Sequence, residues 1–90
     1  MKLFENQVVV DDGVLFCAFR YALGRMTYVV FEVCEAIKQN ADHIQPKLRH
    51  KMVEEITEAI EKGAAGMDCD VEHWKDCRIA LQQSLAKEQS

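Results

Sequence analysis

Arg20 and Arg25, set among Phe16, Phe19, Tyr21 and Tyr28, are the residues whose types and spacing could do chemistry in this chain. A guanidinium inside an otherwise apolar stretch must find partners, because an unpaired buried charge is strongly disfavoured. Three roles fit. The first is a structural ion pair, with Asp68, Asp70, Glu32 or Glu35 as the carboxylate and the turn around Asp68 and Asp70 as the expected partner. The second is a binding pocket in which Arg20, Tyr21, Arg25 and Tyr28 offer forked donors and flat rings to an anionic ligand such as a nucleotide. The third is an interface with another protein, since Arg and Tyr are frequent anchors there.

Other constellations are weaker. Cys69, His73 and Cys77 recur every four residues, and sulfur and imidazole are zinc ligands. No C-x2-C pair accompanies them, and a fourth ligand would have to come from Cys17, Cys34 or His50, so we expect metal-free, reduced thiols rather than a metal site. Cys, His and Asp are all present without a nucleophile motif, and Gly63 and Gly66 form no phosphate-binding loop. The sequence therefore calls for no enzyme activity and no cofactor. Glu54, Glu55, Glu58 and Glu61 form a charge run that is either a solvated helix face or, through Glu54 and Glu58, a surface for a basic partner.

The element that positions the arginines is Val14 to Leu23, in which every residue but Arg20 is apolar or aromatic. A helix apolar on nearly every side reads as buried, so the first helix is expected to be innermost, with the others covering it. Asp11 and Asp12 offer its N-cap and Gly24 its end. Thr27 can cap a second helix to about Gln39, exposing Glu32, Glu35 and Gln39; its β-branched residues leave a strand open, although alternation fails at Glu32. After a polar stretch from Asn40 to Gln45, Pro46 suits the first turn of a third helix, whose apolar stripe from Lys47 to Lys62 is Leu48, Met52, Val53, Ile56, Ala59 and Ile60. Gly63 stops it. Asp70 can cap a fourth helix with Val71, Trp74, Cys77 or Arg78, Leu81 and Leu85 inward, fraying after Lys87.

The fold class that follows is all-α: one domain over residues 1–90, a compact bundle of about four helices, with residues 1–10 as an arm or short strand and 88–90 as a frayed tail. Ninety residues, 49% hydrophobic and 29% charged, suffice for a single core. The formal net charge of -4 and pI near 5.3 argue against nucleic-acid binding. No apolar run reaches the roughly 18 residues of a membrane span, and no secretion signal opens the chain, so a cytoplasmic protein with free cysteines is expected. Phe4, Phe31, Trp74 and the Val8 to Val10 run exceed what one buried helix can hide, which predicts an exposed patch and a homodimer.

The run Phe16 to Tyr28, FCAFRYALGRMTY, followed by Gly66-Met67-Asp68-Cys69-Asp70 and Trp74, resembles a family of short phage and prophage accessory proteins built on an FRYALGR-x-TY core. The resemblance spans about residues 12 to 82. It carries no established activity over to particular residues. It does imply a non-enzymatic protein of a bacterial host's cytoplasm that binds and inhibits or modulates a host or phage protein, a component of CRISPR or other anti-phage defence being the expected target. A nucleotide-sequestering module and a structural homo-oligomer are the alternatives.

Overall fold

The computed structural model describes residues 11–25 and 29–89. The N-terminal arm, Thr27 and Tyr28 lie outside the described residues. Among the described residues four helices follow one another: α1 (Asp12–Ala22), α2 (Val29–Asn40), α3 (Pro46–Glu61) and α4 (Asp68–Gln89), with a 3-10 turn at Ala41–His43. The all-α bundle is thus as the periodicity requires, and Val29–Asn40 is helix rather than strand.

Local chemistry sets the helix ends. Asp11, rather than Asp12, caps α1: its Oδ1 accepts from the Gly13 and Val14 amides at 2.9 and 3.2 Å. Asp12 serves the tertiary structure instead, its Oδ2 accepting from the Gln45 amide at 3.1 Å and joining the start of α1 to the start of α3. Beyond α1, Gly24 has φ +86°, and a Cβ there would lie 2.9 Å from the Ala64 carbonyl oxygen. Only glycine lets these two loops approach so closely. α3 starts with Pro46 at its first position. It ends in a Schellman arrangement, the Ala64 amide donating to the Ala59 carbonyl at 2.7 Å and the Gly63 amide to Ile60 at 3.1 Å.

α4 begins two residues earlier than its expected cap. Asp70 sits in the first turn, where its Oδ2 accepts from the Met67 amide at 3.2 Å, half of a capping box. Gly66 makes room for it, since a Cβ at this φ +97° residue would meet that same carboxylate oxygen at 2.8 Å. The other end of α4 does not stop at Lys87 but remains helical to Gln89, because Glu88 carries a tertiary bond described below.

The innermost helix is α4, not α1. α4 packs along both α2 and α3, whereas α1 lies chiefly on α2 and touches α3. Trp74, Cys77 and Leu81 of α4 are fully buried among Val30, Val33, Cys34 and Ile37 of α2 and Met52 and Ile56 of α3. α1 contributes one stripe, Leu15, Phe19 and Ala22, while Val14 stays 58% and Tyr21 56% exposed. The reason is dimensional. The fold extends only 18 Å in its thinnest direction, about two layers of helices, so a short flanking helix is covered on one side only, whatever its composition.

Candidate functional site

Arg20 of α1 and Arg25, three residues beyond its end, do not enter the core, and they do not converge. Arg20 leaves α1 toward α3, its Nε 3.7 Å from a carboxylate oxygen of Glu55, with the Arg20 side chain 62% exposed. Its guanidinium also lies 5.8 Å from the centre of the Phe16 ring, one turn earlier on α1. The expected pair with Asp68 or Asp70 is not formed: Asp70 is engaged at the start of α4, and Asp68 is exposed. Glu35 pairs with Lys38 on its own helix. Arg25 stacks over Tyr21, its guanidinium carbon 4.6 Å from the ring centre. Tyr21 and Arg25 therefore form one exposed unit, and Arg20 with Phe16 and Glu55 another.

Trp74 is a core residue. It is the largest fully buried side chain, and it meets Phe19 edge to face, the centroids 5.6 Å apart at 86°. Its indole Nε1 finds no acceptor among the described residues. Of the patch expected from Phe4, Phe31, Trp74 and the Val8 to Val10 run, Trp74 thus belongs to the core and Phe31 is 48% exposed with its ring 5.2 Å from that of His73, while Phe4 and Val8 to Val10 lie outside the described residues.

Cys69, His73 and Cys77 do not share a site. Cys69 is exposed, His73 turns to Phe31, and Cys77 is buried against Cys34 between α2 and α4. Hydrogen bonding to the Cys77 sulfur, with burial, holds the Cys34 thiol far above the usual thiol range. Among the described residues no group of three or more His, Cys, Asp or Glu side chains is gathered closely enough to hold a metal ion.

The strongest polar constellation centres on Arg49, which no motif in the sequence marks. Arg49 is 1% exposed, yet every side of its guanidinium is used. Nε donates to the Ile44 carbonyl at 2.8 Å, Nη1 to Ser84 Oγ at 2.7 Å and Nη2 to Glu88. Ser84 donates onward to Asp42 Oδ1 at 2.6 Å, and Lys87 donates to Asp42 Oδ2 at 3.3 Å. The Ser84 hydroxyl, and then Lys87, hold the Asp42 carboxyl below its ordinary range. Arg49 precedes Met52 by three and Ile56 by seven residues, so the spacing of the α3 stripe already put it on the inward face. A cavity of about 200 Å³ beside the network is lined by Lys38, Gln39, Asp42, Ser84 and Lys87. The network ties α4 to the start of α3 and to the preceding turn, and these bonds are structural.

A second cavity, about 270 Å³, opens between the ends of α1 and α3, with Leu23, Ala59 and Ala64 as apolar lining and Glu55, Glu58 and Lys62 as its charged groups. Here Glu58 accepts from Lys62 at 2.7 Å, which depresses the Glu58 carboxyl and raises the lysine. Glu54 lies exposed on the same helix. Along the outer face of α3, Lys47, His50 and Lys51 come first and Glu54, Glu58 and Glu61 last, all exposed. No acidic residue occupies the first turn and no basic one the last. This order opposes the helix macrodipole, at about 0.3–1 kcal/mol for each terminal-turn charge.

No helix of the described residues is long and apolar enough to cross a membrane. No protein-family model matches this chain, and neither the curated proteins nor the solved structures contain a match to it.

Proposed function

We propose that this chain is a non-enzymatic binding protein of phage type, acting in the bacterial cytoplasm by occupying the surface of a host protein and inhibiting or modulating it, with anti-phage defence components as the target class. The observation that carries this reading is the outer face of α1. Val14, Cys17 and Tyr21 recur at helical spacing, all exposed, on a helix whose inner stripe is already packed. Apolar and aromatic side chains that a small protein leaves in water at helical spacing are suited to a partner's groove. Tyr21, braced by Arg25, supplies a ring with little rotamer freedom left to lose on binding.

Site-specific photocrosslinking tests the reading. A photoreactive phenylalanine placed at Tyr21, in cells under phage infection, should trap one host protein that the same group at exposed Glu72 does not trap. Val14→Asp should abolish the adduct. Identical adducts from both positions, or none from Tyr21, would reject this face as the working surface.

A further inference from the structure

The outer face of α3 carries charges in an order that its own helix disfavours and that a second, antiparallel α3 would favour. Lys47, Lys51, Glu54, Glu58 and Glu61 recur at intervals of four, three, four and three, forming one exposed ridge. Among the described residues, Lys47, His50, Glu54 and Glu61 make no ion pair, and Lys51 acts only at a distance, on Glu58. Within one copy the basic half lies at the positive end of the helix dipole and the acidic half at the negative end.

From this we infer that α3 is the contact between two copies of this chain, packed antiparallel about a two-fold axis that crosses the ridge between Lys51 and Glu54. In that register Lys47 of one copy faces Glu58 of the second, whose own Lys62 already holds one of its carboxylate oxygens, and Lys51 faces Glu54. Glu61 extends toward the positive end of the second copy's α3, so each misplaced charge gains a partner of opposite sign. No like charges oppose one another in this arrangement, and the two helix dipoles run in opposite directions. A self-complementary face is what a two-fold interface requires. Charge matching supplies its register and its salt sensitivity. This interface is separate from the outer face of α1, so the dimer leaves Val14 and Tyr21 available, and the two proposals fail independently.

Light scattering and sedimentation at increasing protein concentration, to about 1 mM, test the inference. At low salt the mass should rise from 10.3 kDa toward twice that value. Raising the salt to about 0.3 M should weaken association on the order of tenfold, since the pairs lie in solvent. The double variant Lys47→Glu with Lys51→Glu should be monomeric, as should Glu54→Lys with Glu58→Lys. An equimolar mixture of the two variants should associate again, because one face is then acidic throughout and the other basic at positions 47, 51, 54 and 58. Folding is followed by circular dichroism, and the first variant places carboxylates where the dipole favours them. A wild-type protein that stays at 10.3 kDa throughout, a dimer that survives both reversals, or folded variants that do not associate on mixing would each overturn the α3 interface.

Discussion

Arg49 of α3 and Ser84 of α4 stand 35 residues apart in the chain and share a 2.7 Å hydrogen bond deep in the molecule, from the guanidinium Nη1 to the hydroxyl oxygen. A buried guanidinium is tolerable only when its donors are used, and here the Ile44 carbonyl, Ser84 and Glu88 use them. Arg49→Met should therefore destabilise the fold by about 1–3 kcal/mol for each buried acceptor left without a donor. Glu88→Ala should cost less, because Glu88 is 44% exposed and water can replace it. Urea midpoints of the two variants check the order, and equal losses would show that Glu88 is the dominant member.

Asp42 sets a pH limit on the same network. Its carboxyl is depressed below the ordinary value of 3.8 by Ser84 and then by Lys87, so the ionised form is the one that folding favours. The sign follows directly: this stabilisation is complete above the unfolded pKa and disappears as pH falls through the lower folded value. The melting-temperature gap between wild type and Asp42→Asn should be constant near neutrality and close below about pH 3.8. A gap that widens on acidification would contradict the assignment.

Phe19 and Trp74 should be energetically coupled through their edge-to-face contact. Phe19→Ala and Trp74→Ala are each expected to cost about 3–5 kcal/mol, as large-to-small changes at fully buried sites. In the double variant the losses should fall short of additivity by about 0.5–1.5 kcal/mol. Strict additivity in denaturant unfolding would mean that the two rings share no interaction beyond their separate burial.

Arg20 should prove nearly dispensable for stability. Its pair with Glu55 is solvated, with the arginine side chain 62% exposed, and exposed pairs are worth about 0–1 kcal/mol. A double-mutant cycle of Arg20→Ala with Glu55→Ala should stay within that range, and the combination Arg20→Ala with Asp70→Asn should show no coupling. Coupling to Asp70 would restore the pairing that the structure contradicts.

The four thiols should separate into two classes. Cys17 and Cys69 are exposed, whereas Cys34 and Cys77 are buried and the Cys34 thiol is held protonated. Iodoacetamide on the folded protein should add two adducts, at Cys17 and Cys69, and four in urea, as counted by mass spectrometry. Rapid labelling of Cys34 in the native state would place it outside the core.

The helices, their number and most of their boundaries were legible in the sequence because they depend on neighbours three to four residues away. The α3 stripe from Leu48 to Ile60, Pro46 at its start and Gly63 just past its end are local signals, and all operate as they read. Of the acidic run on α3, Glu54, Glu58 and Glu61 form the exposed face that their spacing predicts, whereas Glu55 turns toward Arg20 of α1. What periodicity could not supply is which helix lies in the middle, because that depends on how many neighbours each helix acquires. α1 has the more apolar composition, but α4 is long enough to lie against both α2 and α3, so Trp74 is buried while Val14 and Tyr21 remain in water. Charge pairing was decided by the same packing. Arg20 stands out in the sequence because its neighbours are apolar, yet its side chain leaves the core; Arg49, set among ordinary charged neighbours, is the arginine that the assembled fold encloses. A residue's neighbours along the chain establish which face of a helix it occupies, and only the packing of helices establishes whether that face meets protein or solvent.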